Sequence, residues 1–213
     1  MSLPILPKLP KHMLFRSHPW HGLSLGNDSP DLVNCYIEMV PTDTVKYEID
    51  KETGILKVDR PQKYSSLCPS LYGLIPQTYC GPLIAAHCMG KTGRTDVIGD
   101  RDPLDICVLT EREIPRGDII LQAYPIGGFR LLDGEEADDK IIAVLKGDFI
   151  YEGFKDVSNL PKNITNRLWH YFSTYKDTPD GTSNCISITH TYGAKEAKEI
   201  IKLSHQDYLD KFS

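Results

Sequence analysis

The stretch Asp100-Arg101-Asp102-Pro103-Leu104-Asp105-Ile106-Cys107-Val108-Leu109 places three carboxylates on a turn and then runs straight into an apolar segment. The apolar half reads as a buried strand. Pro103 fixes its own φ and pushes Asp102 towards an extended conformation, so the turn that enters the strand is stiff. Aspartates ionise near about pH 4 and stay charged at neutral pH, where like charges a few ångströms apart repel one another. The three carboxylates therefore call for a positive partner. Oxygen donors without an adjacent Cys or His pair suit a hard cation such as Mg2+. A solvated acidic turn is the plainer alternative, since Asp and Pro both favour turns. An EF-hand calcium loop also begins Asp-x-Asp. Here, however, Pro103 follows, the loop glycine is missing and a strand comes next, which excludes that reading.

Working outward, the chain upstream of this turn is patterned as β structure. Cys35-Tyr36-Ile37-Glu38-Met39-Val40 is strand-like, and Val45-Lys46-Tyr47-Glu48-Ile49-Asp50 alternates clearly. Period two puts Lys46 and Glu48 on one face and Val45, Tyr47 and Ile49 on the other. Lys51-Glu52-Thr53-Gly54 is a turn signal, after which Ile55 to Arg60 returns as the hairpin partner. Residues 61–99 read as a long connection rich in Pro and Gly. Downstream, strands are expected at 105–109, 119–126, 128–132 and 140–145, with an acidic turn from Asp133 to Asp139. Helices come late. Pro161 opens one that runs to Tyr175, with Ile164, Leu168 and Phe172 at intervals of four, and another runs from about Ala194 to Lys211. Strands first and helices afterwards predict an α+β, mainly β fold: a small closed barrel with two C-terminal helices packed outside it. The expected organisation is one domain over 1–213. It comprises an irregular N-terminal arm (1–32), the barrel (33–160) with its long 61–99 connection, and a helical C-terminal part (161–213).

Composition narrows the function. A length of 213 residues, 40% apolar and 25% charged, is ordinary for a globular protein, and length alone favours one domain. A net charge of −5 opposes the basic surface usual for nucleic-acid binding. It also looks wrong for an enzyme acting on anions, a conflict that bound divalent cations resolve by inverting the local field. The six cysteines show no paired framework, which points to a reducing compartment. Prolines at 4, 7 and 10 interrupt any apolar leader, and no run approaches the ~20 apolar residues of a membrane span. A cytoplasmic protein without a membrane partner is expected.

The aspartate turn has company of the right kind. Lys46-Tyr47-Glu48-Ile49-Asp50-Lys51-Glu52-Thr53-Gly54, Val58-Asp59-Arg60, Tyr72-Gly73, Asp100 to Asp105, Asp133 with Asp138 and Lys140, and Tyr175-Lys176 follow one another in an order that resembles the soluble family I inorganic pyrophosphatases. The resemblance runs from about Cys35 to Lys176. It implies a five-stranded OB-like barrel and hydrolysis of inorganic pyrophosphate to two orthophosphates, with several Mg2+ ions per active site. It also implies roles for single residues. Asp100, Asp105 and Asp138 would hold the first Mg2+, with Asp105 shared by a second. Asp133 and Asp138 would bind a further ion and Glu48 another. Asp102 would orient and deprotonate the attacking water. Lys46, Arg60, Tyr72, Lys140, Tyr175 and Lys176 would grip the phosphoryl groups, and Glu38 would support the site. Members of the family form dimers or hexamers, so a homo-oligomer is expected. Such residue types suit in-line phosphoryl transfer to water. Carboxylates fix metals that acidify the water, and cationic side chains neutralise the leaving phosphate.

Each piece seen alone has a blander reading. Lys46 and Glu48 fit an exposed strand face, Asp133 to Lys140 a solvated hairpin loop, and Lys176 a helix C-terminus. It is their joint occurrence that overturns these. Cys68 stands where the family usually has a tyrosine, four residues before Tyr72. The segment between Tyr72 and Asp100, with Pro76-Gln77-Thr78-Tyr79, resembles the eukaryotic branch. Cys80, His87 and Cys88 within it have the wrong spacing for a standard zinc site. Two other readings are a non-catalytic OB-fold binding module, which the acidic balance opposes, and a metal-dependent phosphatase acting on another phosphate substrate.

Overall fold

Leu104, Ile106 and Val108 face one hydrophobic cluster while Cys107 and Leu109 face another, so the strand that follows the aspartate turn is buried on both sides. This is why it reads as a continuous apolar run rather than an alternation. The computed structural model describes residues 16–178 and 186–213. Residues 1–15 of the expected arm, and Cys185, lie outside the described residues.

The strands are β1 (Val33–Met39), β2 (Val45–Ile49), β3 (Leu56–Pro61), β4 (Leu71–Leu74), β5 (Ile98–Gly99), β6 (Asp105–Leu109), β7 (Ile119–Asp133), β8 (Glu136–Ala137), β9 (Lys140–Leu145) and β10 (Ile186–Gly193). The helices are α1 (Pro82–Thr92), α2 (Lys162–Thr174) and α3 (Ala194–Phe212). Hydrogen bonding runs β1-β4-β6-β9-β7, and β7 pairs back to β1. Five strands therefore close into a ring, the OB-like barrel expected from the sequence. Closure leaves these strands no free edge. Of the five pairings in the ring, only β6 with β9 is parallel. The β2–β3 hairpin stands as a separate two-stranded sheet.

Two helices pack outside the barrel as expected. Leu168 and Phe172 of α2 cover one face, against Cys107, Ile142 and Phe129. Ala197, Ile200 and Ile201 of α3 cover the other, against Ile106, Ile141 and Val33. The 61–99 connection is more regular than its Pro and Gly content suggests, because it contains β4, α1 and β5. The two strands expected at 119–126 and 128–132 are one long β7, whose pairing register with β9 shifts between Pro125 and Gly127. β10, beyond the strands expected from the sequence, pairs along β7.

α1 shows how distant segments fix one another. Pro82 fits its first turn, where a missing N–H costs nothing. The orphan amides that follow are satisfied from α3: the buried Asp207 carboxylate accepts from Gly81 N at 3.0 Å, Leu83 N at 3.0 Å and Ile84 N at 3.1 Å. A carboxylate on a helix N-terminus also interacts favourably with the helix dipole. Asp207→Ala strands these buried donors. It is expected to lower the free energy of unfolding by about 1–3 kcal/mol, read as a shift of the urea midpoint.

Candidate active site

The aspartate turn is built by its own side chains and by the segment behind it. Asp100 Oδ1 accepts from Asp102 N at 2.9 Å, the Asx-type bond that makes Asp a turn former. Arg101 is bent into a left-handed conformation with φ of +66°, which L side chains seldom adopt. The turn is held there by Cys80, whose N donates to Asp102 O at 2.8 Å and whose O accepts from Arg101 N at 3.0 Å. Thr78 Oγ1 accepts from Leu104 N at 2.9 Å. Gly99 is required for this embrace, because a Cβ there would lie 2.1 Å from Cys80 O.

Every site residue expected from the sequence borders one cavity of about 220 Å3. β1 contributes Glu38, β2 Lys46 and Glu48, β3 Arg60 and β4 Tyr72. The turn and the start of β6 contribute Asp100, Asp102 and Asp105. Asp133 closes β7, Asp138 and Lys140 flank the start of β9, and Tyr175 and Lys176 follow α2. The cavity lies at one end of the barrel, where parallel β6 and β9 set Asp105 opposite Lys140. Lys140 Nζ ion-pairs with both Asp105 and Asp138. Lys176 pairs with Asp133, and Lys51 with Asp102. Lys46 Nζ lies 2.9 Å from Glu48 and 3.0 Å from Asp59.

Burial and neighbouring charge set the proton affinities. Burial, then the Asp138 charge, push the Asp100 carboxyl well above the ordinary range. Burial also raises Asp138, although Lys140 opposes it. Lys140 loses solvation, but Asp105 and Asp138 outweigh that loss and hold its ammonium charged. Burial raises Tyr72 and Tyr175, so both phenols remain neutral donors at working pH. Glu38 accepts from Ile49 N at 2.7 Å, and burial raises its pKa to about 8.

The donor set fits hard cations. Carboxylates line the cavity with no Cys or His among the described lining residues, and two partly buried ones, Asp100 and Asp138, resist ionisation unless positive charge is close. Among the described residues no three acidic, imidazole or thiol groups form a ready-made metal shell. The carboxylates border the cavity, and Lys140 shows that Asp105 and Asp138 can converge on a single positive centre.

The sequence reading missed other lining residues, among them Lys51, Glu136, Tyr171 and Phe172. Lys51 lies in the quoted hairpin turn, and its place in the run that holds Lys46 and Glu48 is the available signal. Tyr171 stands one helical turn before Tyr175, which is the spacing that shares a face. Cys68 is buried and is not among the lining residues. It borders a neighbouring groove of about 590 Å3 together with Tyr171. Asp139, within the acidic turn, is structural: its carboxylate binds the buried Arg130 at 2.9 Å.

A five-stranded barrel whose end holds clustered carboxylates interleaved with Lys, Arg and Tyr defines a class of site suited to a small, highly charged anion together with hard cations. The profile of the family described as inorganic pyrophosphatase matches residues 35–209, and the chain belongs to that family. The chain is 53% identical over 200 residues to an inorganic pyrophosphatase of Chlamydia trachomatis serovar L2, covering 92% of this chain and 96% of that one. It is 37% identical over 196 residues to soluble inorganic pyrophosphatase 2 of Chlamydomonas reinhardtii, covering 92% and 91%. The type I inorganic pyrophosphatase of Plasmodium falciparum superposes with a TM-score of 0.77 at 29% identity, covering 91% of this chain and 63% of that one.

The raised Glu38 gives a pH signature. Its proton is held more tightly in the folded chain than at the ordinary 4.5, so the stability it contributes is complete below about 4.5 and is lost as pH rises through about 8. In metal-free buffer, urea unfolding between about pH 5 and pH 9 should show stability falling more steeply for the parent than for Glu38→Gln. Parallel slopes would assign the carboxyl an ordinary pKa.

Proposed function

We propose that this protein hydrolyses inorganic pyrophosphate to two orthophosphates in an Mg2+-dependent reaction. The observation that carries the reading is the meeting, around one cavity of about 220 Å3, of carboxylates suited to hard cations with cationic and phenolic groups suited to phosphate. The volume lies below the roughly 300–1,000 Å3 usual for drug-sized ligands and matches a small inorganic anion.

Lys46, Arg60, Lys140 and Lys176 would neutralise the phosphoryl oxygens, and Tyr72 and Tyr175 would donate hydrogen bonds without adding charge. Asp100, Asp105 and Asp138 would hold the first Mg2+, with Asp105 shared by a second. Asp133 and Asp138 would hold another, and Glu48 a further one. When bound, the cations supply charge neutralisation and acidify water. Asp102 takes the proton of the attacking water as its oxygen bonds to one phosphorus, and the bridging P–O bond breaks in line. The second phosphate leaves against the lysines and arginine. Glu38 holds Ile49, and with it the β2 residues Lys46 and Glu48, at the cavity wall.

The same reading places the protein in the cytoplasm as a homo-oligomer. The buried, unpaired thiols of the five described cysteines fit a reducing compartment, and exposed Phe149 and Ile150 are apolar surface available for self-association. Among the described residues no helix is long and apolar enough to cross a membrane.

Phosphate release from pyrophosphate, with and without Mg2+, tests the activity. Undiminished turnover in excess EDTA would sink the proposal. Asp102→Asn should lose at least about 100-fold in kcat while the Mg2+ titration midpoint stays in place. Asp105→Asn should move that midpoint. Identical metal affinities for the two variants would refute this division of labour.

A further inference from the structure

Tyr171 stands on the same face of α2 as Tyr175, and the two rings stack at 5.2 Å with planes 24° apart. Its ring also meets Phe172 edge-on at 5.1 Å. Tyr171 is only 8% exposed and borders the cavity beside Arg60, Lys140 and Lys176. Packing on both sides holds the ring in one arrangement, so little side-chain freedom remains to be lost when a ligand binds. The phenol oxygen accepts from Gln62 Nε2 at 3.4 Å. An amide NH2 group only donates, so the phenolic proton is left for an acceptor of its own. Gln62 is itself fixed, two residues beyond Arg60, by the bond from its N to Thr44 O at 2.9 Å.

We propose that Tyr171 is a further substrate-binding residue, its hydroxyl donating a hydrogen bond to a phosphoryl oxygen of bound pyrophosphate. The inference rests on the hydrolytic reading above. Burial, then the neighbouring Cys68, raise the phenol's pKa, so it serves as a neutral donor throughout the working range. Cys68 does not supply this donor. Its thiol is buried and borders only the adjoining groove, and Tyr171 lies between that groove and the cavity, lining both. Tyr171 adjoins the phenolic side of the site formed by Tyr72 and Tyr175.

The test is Tyr171→Phe, which keeps the ring and its packing and removes one hydroxyl. Steady-state hydrolysis of pyrophosphate gives KM and kcat, and calorimetric titration with methylenediphosphonate in saturating Mg2+ gives the affinity of the folded protein. A lost hydrogen bond to a charged group predicts a KM and a Kd raised roughly ten- to 150-fold, with kcat changed less and the melting temperature unchanged. An active parent whose Tyr171→Phe variant matches it in KM and Kd overturns the inference. So does a variant that melts earlier with both constants unchanged, since that outcome marks a packing role. A parent that neither hydrolyses pyrophosphate nor binds the analogue overturns the functional reading as well, so the two failures are distinguishable.

Discussion

The ammonium of Lys140, buried between Asp105 and Asp138, is the interaction on which the rest of the site depends. A lone ammonium or carboxylate in the interior costs several kcal/mol, and each of these groups is tolerable only because the others are present. The chain brings them together through backbone pairing rather than through side-chain choice. In the parallel ladder of β6 and β9, Asp105 sits opposite Lys140, while Ile106 to Leu109 sit opposite Ile141 to Val144. Both strands are apolar on both faces, so the apolar pairs alone do not discriminate one register from the next. A slip of one residue would part Lys140 from Asp105 and turn its charge to the other face, among Ile and Val side chains. The charged pair thus helps to select the register that places it.

The turn ahead of β6 needs a second support, because three aspartates repel and Arg101 is held in an uncommon conformation. That support comes from residues 75–81, which hydrogen-bond Leu104, Asp102 and Arg101 from behind. The same segment is clamped from the far side by α3, where Ser204 and Asp207 bond the backbone at Tyr79, Gly81, Leu83 and Ile84. Trp20 adds a bond from its indole to Thr78 O at 2.6 Å and packs with Tyr79, Tyr208 and Phe212. The carboxylate turn therefore rests on the described part of the N-terminal arm and on the C-terminal helix, which meet at residues 75–81. Elements far from the cavity in sequence hold its most repulsive part in place.

Local chemistry made part of this legible. Pro103 and the apolar run after it announced a stiff turn entering a buried strand, and Thr53-Gly54 announced the β2–β3 hairpin. What stayed hidden depends on contacts between distant segments. β4 has four residues, all buried, and shows no alternation. Its Gly73 is required because a Cβ would lie 2.0 Å from Tyr36 O on β1, a fact invisible without the pairing. α1 has Pro82 as a start signal, but its N-terminal acceptor is Asp207, more than a hundred residues away. Pro125, Gly127 and Gly128 read as a break, whereas the ladder absorbs them with a shift of register and β7 continues. β10 is legible in the alternation of Ile186-Ser187-Ile188-Thr189, the pattern of a half-exposed strand. The side chains around the cavity were legible through their pattern along the chain. Tyr171 is one of the exceptions, since its i to i+4 spacing from Tyr175 reads equally well as core.

The charge around the cavity explains how an acidic protein can act on a polyanion. Eight carboxylates and five cationic side chains border it, a formal excess of three negative charges when all are ionised. Pyrophosphate adds several more, so the bare protein would repel its proposed substrate. The lysines alone cannot reverse this, because Lys140, Lys176 and Lys51 are each paired with a carboxylate. Two divalent cations would change the balance by four charges and would compete with those lysines for the same carboxylates. A lysine released from its aspartate in this way is free to turn its ammonium towards phosphate. The interleaving of Asp and Lys is therefore more than mutual neutralisation. On the proposed reading it would couple cation binding to the exposure of anion-binding groups, and the site would become attractive to a diphosphate only as its carboxylates were taken up.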